Sequence, residues 1–289
     1  MSTWTRGRSW LVYGASYGVA GLAAVAAAAF TGGDPFVQAV AGGIAATVVL
    51  YLCSIVFKNS GFYDCYWSVV PVVYAPFWLY TYGAWAEPRA LLASLVTVAW
   101  GTRLTVNWAT HWEGLAHEDW RYVDLRAKTG RSYAVASFFA LHLFPFALVT
   151  LGSFALHEAI ATPGPLGPLD FVALAVGVIA VLLETFSDIQ LHRFRRQNTD
   201  REAFLQSGLW AYSRHPNYCG EAMYWWSTAL FALSVRLSPL MVLGAVGVSC
   251  MILFASIPMA EKRALAKRPR FADYQRRVSR LIPWFPRRA

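Results

Sequence analysis

Charge is what this chain has least of. Only 14 % of its 289 residues are Asp, Glu, Lys or Arg, against about 25 % in ordinary soluble domains. With 57 % hydrophobic and 16 % aromatic residues, that scarcity excludes the soluble globular class and makes lipid the expected solvent. Cysteine is sparse too: Cys53, Cys65, Cys219 and Cys250 stand singly in or beside apolar segments. Without a CxxC pair, neither structural zinc nor a disulfide framework is expected, and the thiols read as small buried hydrophobes. No GxGxxG turn follows a strand and no Walker-type loop occurs, so a Rossmann or P-loop nucleotide cradle is excluded. HxxxH pairs are missing, which argues against a membrane di-iron centre, and no metal site is expected. The chain has no tandem repeat, low-complexity tract or soluble linker. Its first apolar segment lacks the cleavage pattern of a removable signal peptide.

What remains is a series of long apolar runs. They lie near 10–31, 36–57, 64–83, 88–108, 133–157, 168–190, 217–235 and 238–258, and reach the roughly 20 residues that cross a hydrocarbon core of about 30 Å. The expected fold class is all-α: a polytopic integral membrane helical bundle with seven to eight transmembrane helices. A single membrane domain is expected over 1–289, with N-terminal helices in 1–60, a core in 61–258 and a basic tail in 259–289. The net charge of +9 is unevenly placed: from Met259 to the end ten Lys/Arg face only Glu261 and Asp273. A second basic block holds Arg193, Arg195, Arg196, Arg201 and Arg214. Under the positive-inside rule both termini and the connections near 58–63, 109–132 and 191–216 face the cytoplasm. Topology therefore accounts for the basicity, and no nucleic-acid partner is expected.

Four polar groups break the apolar pattern, all on the cytoplasmic side of that topology. The first is NSGFYDCYWS, residues 59–68. Asp64 reads either as a helix cap, where the dipole favours a carboxylate, or with Tyr63 as a phenol–carboxylate pair able to donate a proton. The second is Arg103, Asn107 and His111 at i, i+4 and i+8, one helical face. Snorkelling and interhelical bonding are the plain alternative; a shared stripe favours a polar cavity. The third is Glu184, Asp188, His192 and Arg195, which either pair among themselves or offer an acid to a ribose hydroxyl and cations to phosphate. The fourth is SRHPNYCGE, residues 213–221, with Asn217, Glu221 and Trp225 on one face. Pro216 suits a helix start, and Arg214 and His215 just outside suit an anionic group at that N-terminus. The tail, alternating bases with Tyr274, Leu281, Ile282 and Trp284, reads as lying on anionic lipid or folding over a bound nucleotide.

GLWAYSRHPNYCGE (208–221), preceded by ETFSDIQLHRFRRQ and followed by DYQRRVSRLIPWFP, resembles the steroid 5-alpha-reductase family, above all its bacterial branch of membrane proteins. NSGFYDCYWS and WGTRLTVNW (100–108) resemble it as well, so the likeness spans roughly 58–286. It implies an NADPH-dependent reductase of the bacterial inner membrane that saturates a carbon–carbon double bond conjugated to a ketone. The cofactor residues it implies fall on Asp188, Arg195, Asn217, Tyr218 and Glu221. Arg103, Asn107, His192, Arg196, Tyr212, Arg214 and His215 complete the candidate cofactor set. The family's glutamine–glutamate pair maps onto Tyr63-Asp64, a departure in both residues, and its catalytic tyrosine falls near Trp100, which has no phenol. Tyr63 and Asp64 are therefore the catalytic candidates, with Tyr66, Trp67 and Trp225 as candidate walls for a steroid-like enone entering from membrane lipid. Because RHPxYxGE is shared with isoprenylcysteine carboxyl methyltransferases, a methyltransferase using S-adenosylmethionine is the rival reading, and a non-enzymatic membrane scaffold is the third.

Overall fold

A computed structural model describes residues 4–200 and 202–287; Arg201, counted above in the second basic block, lies outside them. Among the described residues all regular elements are helical, apart from one isolated parallel bridge between Ser213 and Ser279. The all-α expectation is met. The chain divides into two compact units, one ending at Pro163 and the other starting at Gly164.

The first unit contains α1 (Arg6–Thr31), α2 (Pro35–Val56), a 3-10 turn (Ser60–Tyr63), α3 (Tyr66–Thr81), α4 (Pro88–His111) and α5 (Trp120–Thr129). It ends in α6 (Tyr133–Ser137), which passes through a π-helical turn (Phe138–Leu143) into α7 (Phe144–Ala161). The turn between α1 and α2 follows from its letters. Gly32 and Gly33 adopt φ 58° and 70°, Asp34 accepts from the Phe36 and Val37 amides, and Pro35 starts the helix without needing its missing N–H. The second unit contains α8 (Pro168–Gln197), a 3-10 turn (Gly208–Ala211), α9 (Pro216–Leu233), α10 (Leu243–Met251), α11 (Ile257–Lys267) and α12 (Phe271–Arg277). A second π-helical turn, Ile252–Ser256, joins α10 to α11.

Each apolar run expected from the sequence is helical, but five helical stretches among the described residues are long and apolar enough to cross a membrane. They are Arg6–Thr31, Pro35–Val56, Trp120–Ala161, Pro168–Gln197 and Pro239–Lys267. The expected segments 64–83, 88–108 and 217–235 form α3, α4 and α9 instead. α3 has only 16 residues, two of them proline; α4 carries Arg89 and Arg103, and α9 opens with Asn217 and Glu221.

Polar tips of aromatic side chains join α3 to α2. Trp78 Nε1 donates to the Pro35 carbonyl (3.2 Å), Tyr74 Oη to Ala39 (2.8 Å) and Tyr66 Oη to Gly43 (2.8 Å), while the Tyr63 and Thr47 hydroxyls meet at 3.0 Å. The acceptors step by four residues, one helical turn each, so the helices run antiparallel with every phenol both packed and satisfied. Interhelical bonds of this kind contribute about 0.6–2 kcal/mol each. The aromatics can come this close because α2 carries Gly43: a Cβ there would lie 2.3 Å from Tyr74 Oη and 2.5 Å from Phe146.

In the second unit α8 presents a buried stripe of Ala173, Gly177, Ala180, Glu184 and Ser187. Small side chains there allow α9 to approach closely. Ser227 Oγ donates to the Ala173 carbonyl at 2.7 Å, Trp210 Nε1 to the Ser187 carbonyl at 3.1 Å, and Ser234 Oγ to Asp170 at 2.6 Å. Gly220 of α9 sits against α8, where a Cβ would stand 2.8 Å from both the Ala180 carbonyl oxygen and Glu184 Cβ. Gly220→Ala must push the two helices apart and is expected to lower stability by about 1–3 kcal/mol. Gly18→Ala on α1 meets open space and gains helix propensity of up to about 1 kcal/mol. Thermal unfolding of the two variants in detergent checks the contrast.

Candidate functional site

The third polar stripe runs along α8 from inside to outside. Glu184 and Asp188 are buried, His192 is half-buried, and Arg195 and Arg196 are exposed in the last turn. Cations there suit the negative end of the helix. Pro216 starts α9, which brings Asn217 beside Asp188: Asn217 Nδ2 donates to Asp188 Oδ1 at 3.2 Å, and Asn217 Oδ1 accepts from the Tyr218 amide at 3.0 Å. Arg195 lies within electrostatic reach of Asp188, Tyr218 and Arg268. One turn into α9, buried Glu221 accepts from Trp225 Nε1 at 2.9 Å. Asp188, Asn217, Tyr218 and Arg195 therefore gather at one corner of the second unit, with Glu221 and Trp225 behind them.

Arg214 and His215 are turned elsewhere. The Arg214 guanidinium donates to Glu261 Oε1 (2.7 Å) and to the Gln275 and Val278 carbonyls (2.7 Å each). His215 Nε2 lies 3.1 Å from Glu261 Oε1, and its ring stacks on Tyr218 at 5.4 Å and 7°. Tyr212 is exposed; its carbonyl accepts from the Trp284 amide at 2.9 Å. Of the two readings of the tail, residues 274–284 fold along the 212–215 run. Glu261 is the residue that the sequence did not single out; its one signal was to be one of two acids among ten bases.

In the first unit the NSGFYD segment is tied into its surroundings. Asn59 Nδ2 donates to the Leu115 and His117 carbonyls (3.0 and 2.9 Å), the Ser60 amide to Glu118 (2.8 Å), and Tyr17 Oη to the Phe62 carbonyl (3.0 Å). Tyr63 is buried on Thr47, its ring 4.5 Å from Tyr66 and 4.8 Å from His142. Burial raises its phenol well above the usual tyrosine range, which keeps it a neutral donor. Asp64 does not cap α3, whose N-cap is Cys65; its carboxylate accepts from the Tyr122 hydroxyl. The sequence does not mark Tyr122 and His142, because their partners lie 58 and 88 residues away. Trp67 is half-buried at the start of α3, and Trp100 is fully buried in α4. The Arg103–Asn107–His111 stripe runs down α4, with Arg103 and Asn107 half-buried and exposed His111 bonded to the Asn107 carbonyl at 2.7 Å. Burial pushes the Cys65 thiol up to about 11, so it is inert as a nucleophile.

Burial also pushes the Asp64 carboxyl from 3.8 up to about 6, against the opposing effects of the Tyr122 hydroxyl and Arg121. Between those values the folded chain keeps a proton that the unfolded chain has released, so stability is expected to fall as pH rises from 4 to 6. The size is on the order of 2 kcal/mol. Asp64→Asn should flatten that slope in unfolding measured across pH 4–7; an unchanged slope would contradict the assignment.

Comparison with known proteins adds a family. A protein of Schizosaccharomyces pombe described as uncharacterised is 26 % identical over 86 % of this chain and 80 % of its own. No solved structure matches. A family model described as "Protein of unknown function (DUF1295)" matches residues 50–278, from the last turns of α2 through α12. With most of its length so matched, the chain belongs to the DUF1295 family.

Proposed function

We propose that this protein is a membrane-embedded, NADPH-dependent reductase that saturates the carbon–carbon double bond of an enone lipid, with a 3-oxo-4-ene steroid as the model substrate and the cofactor residues facing the cytoplasm. The observation that carries the reading is the Asp188–Asn217 contact at 3.2 Å. It joins a carboxylate and an amide where α8 meets α9, between helices whose packing would be served as well by apolar residues. In an apolar environment such a pair is costly unless used. The resemblance of the surrounding residues to steroid 5-alpha-reductases supports the same reading.

The residues present fit a dinucleotide. Asp188 offers an acceptor and Asn217 a donor to a ribose hydroxyl or a carboxamide, and Arg195, Arg196 and His192 supply a cationic helix end for phosphates. Tyr212 and Tyr218 offer rings at the same corner, and Glu221 an acceptor behind it. Arg214 and His215 fit the nucleotide less well, since Glu261 engages both. Bound NADPH supplies the hydride. The chain's part is to hold the nucleotide, exclude water and stabilise the charge that grows on the ketone oxygen, where one well-placed donor contributes about 3–4 kcal/mol. Tyr63 is assigned that donation, with its phenol kept neutral by burial.

Thermal-shift measurements on the purified protein with NADPH, NADH and S-adenosylmethionine test the cofactor. NADPH at a hundred times its Kd should stabilise by about 2.7 kcal/mol. Stabilisation by S-adenosylmethionine alone would favour the methyltransferase, and by none of the three the scaffold. Asn217→Ala should weaken NADPH binding by about 2–10-fold, the worth of one neutral hydrogen bond. Tyr63→Phe should keep NADPH affinity and lower turnover of testosterone or progesterone by about 10²–10³. Unchanged turnover in Tyr63→Phe removes its catalytic role.

A further inference from the structure

The RHP corner that opens α9 holds the C-terminal strand of chain in place, and it does so through one buried acid. Arg214, Glu261 and His215 are each 8–9 % exposed. Glu261 projects from α11 and receives Arg214 Nε at 2.7 Å, Gln275 Nε2 at 2.6 Å and His215 Nε2 at 3.1 Å. Arg214 Nη2 reaches Glu261 Oε2 at 3.5 Å, Nη1 donates to the Gln275 and Val278 carbonyls, and the Arg214 amide donates to the Ser279 carbonyl at 2.9 Å. Further ties follow on both sides. Ser213 Oγ donates to the Leu281 carbonyl (2.6 Å), Tyr274 Oη to the Trp210 carbonyl (2.5 Å), and the Trp284 amide to the Tyr212 carbonyl (2.9 Å). Arg280 Nη2 donates to the Leu253 carbonyl (2.6 Å), inside the π-helical turn that leads into α11.

The corner is continuous with the proposed nucleotide residues. His215 is the N-cap of α9, its ring lies flat on Tyr218, and Asn217 is two residues on. The corner and the residues Asn217 and Tyr218 thus share one helix start. A bidentate arginine–carboxylate pair is suited to holding that corner, because removing either partner strands a buried charge. The same geometry gives the arginine of the motif a different role from the one its position at a helix mouth implied.

We infer that Glu261 is a positioning residue: through Arg214 and His215 it locks residues 274–284 onto the 212–215 corner, and nucleotide binding at Asp188 and Asn217 depends on that lock. The inference rests on the NADPH reading above, and its two halves are measured separately. Trypsin reports the lock, because Arg276, Arg277 and Arg280 lie in the strap. NADPH titration by thermal shift reports the consequence. Glu261→Ala, and Glu261→Gln as the milder variant that keeps the side-chain volume, should raise the cleavage rate at these arginines by at least tenfold. Both should weaken NADPH binding by at least tenfold while the protein stays monodisperse. Undiminished protection of the strap in both Glu261 variants overturns the lock. A freed strap with unchanged NADPH affinity overturns its link to the site. Absence of NADPH binding in the unaltered protein refutes the cofactor reading and the link together, and leaves the lock to be judged by cleavage alone.

Discussion

A polar atom inside an apolar environment must find its partner within the protein, because leaving it unmade costs several kcal/mol. Most of the specific structure here follows from that constraint. The α2–α3 pair is held in register by three aromatic donors and a Tyr63–Thr47 hydroxyl contact, spaced one turn apart along α2. The start of α8 is fixed by Asp170, which accepts from the Gly167 amide at 2.8 Å and from Ser234 at 2.6 Å. The second unit's corner is fixed by Arg214 and Glu261. Apolar packing brings helices together with little preference for register; these bonds select one.

Where polar groups cluster beyond what register needs, function is the more economical explanation. Asp170 and Ser234 tie helix ends and stop there. Asp188 and Asn217 sit with Tyr218 and Arg195 in a group mixing acid, amide, phenol and guanidinium, a mixture that a helix contact does not need. Tyr63 and Asp64 are also buried in the first unit, the phenol on Thr47 and the carboxyl, pushed up to about 6 by burial, on Tyr122. The segment around them is anchored at Asn59, Ser60 and Phe62, so both side chains are presented by a rigid turn.

The helices were legible because hydrophobic periodicity and glycine–proline punctuation are local. The boundary at Gly32, Gly33, Asp34 and Pro35 is spelled out in four residues, and the polar stripes at Asp188 and Asn217 were visible as spacings of four. Crossing number is less legible: α3, α4 and α9 read as membrane segments by composition, yet α3 is short with two prolines, α4 carries two arginines and α9 holds Asn217 and Glu221 in its first two turns, and none of the three is among the five stretches long and apolar enough to cross. Partners were illegible wherever they come from far along the chain. Nothing near Arg214 points to Glu261, 47 residues on, and nothing near Asp64 points to Tyr122. Arg214, which its place at a helix mouth suits to an anionic ligand, is engaged by the Glu261 carboxylate instead.

The proposed hydride transfer from NADPH to an enone is tested most directly by isotope transfer. Purified protein is incubated with a 3-oxo-4-ene steroid and NADPH deuterated at the transferable position, and the steroid is analysed by mass spectrometry. The expected result is a saturated product carrying one deuterium per molecule. A steroid recovered unreduced, or reduced without deuterium, contradicts the claim.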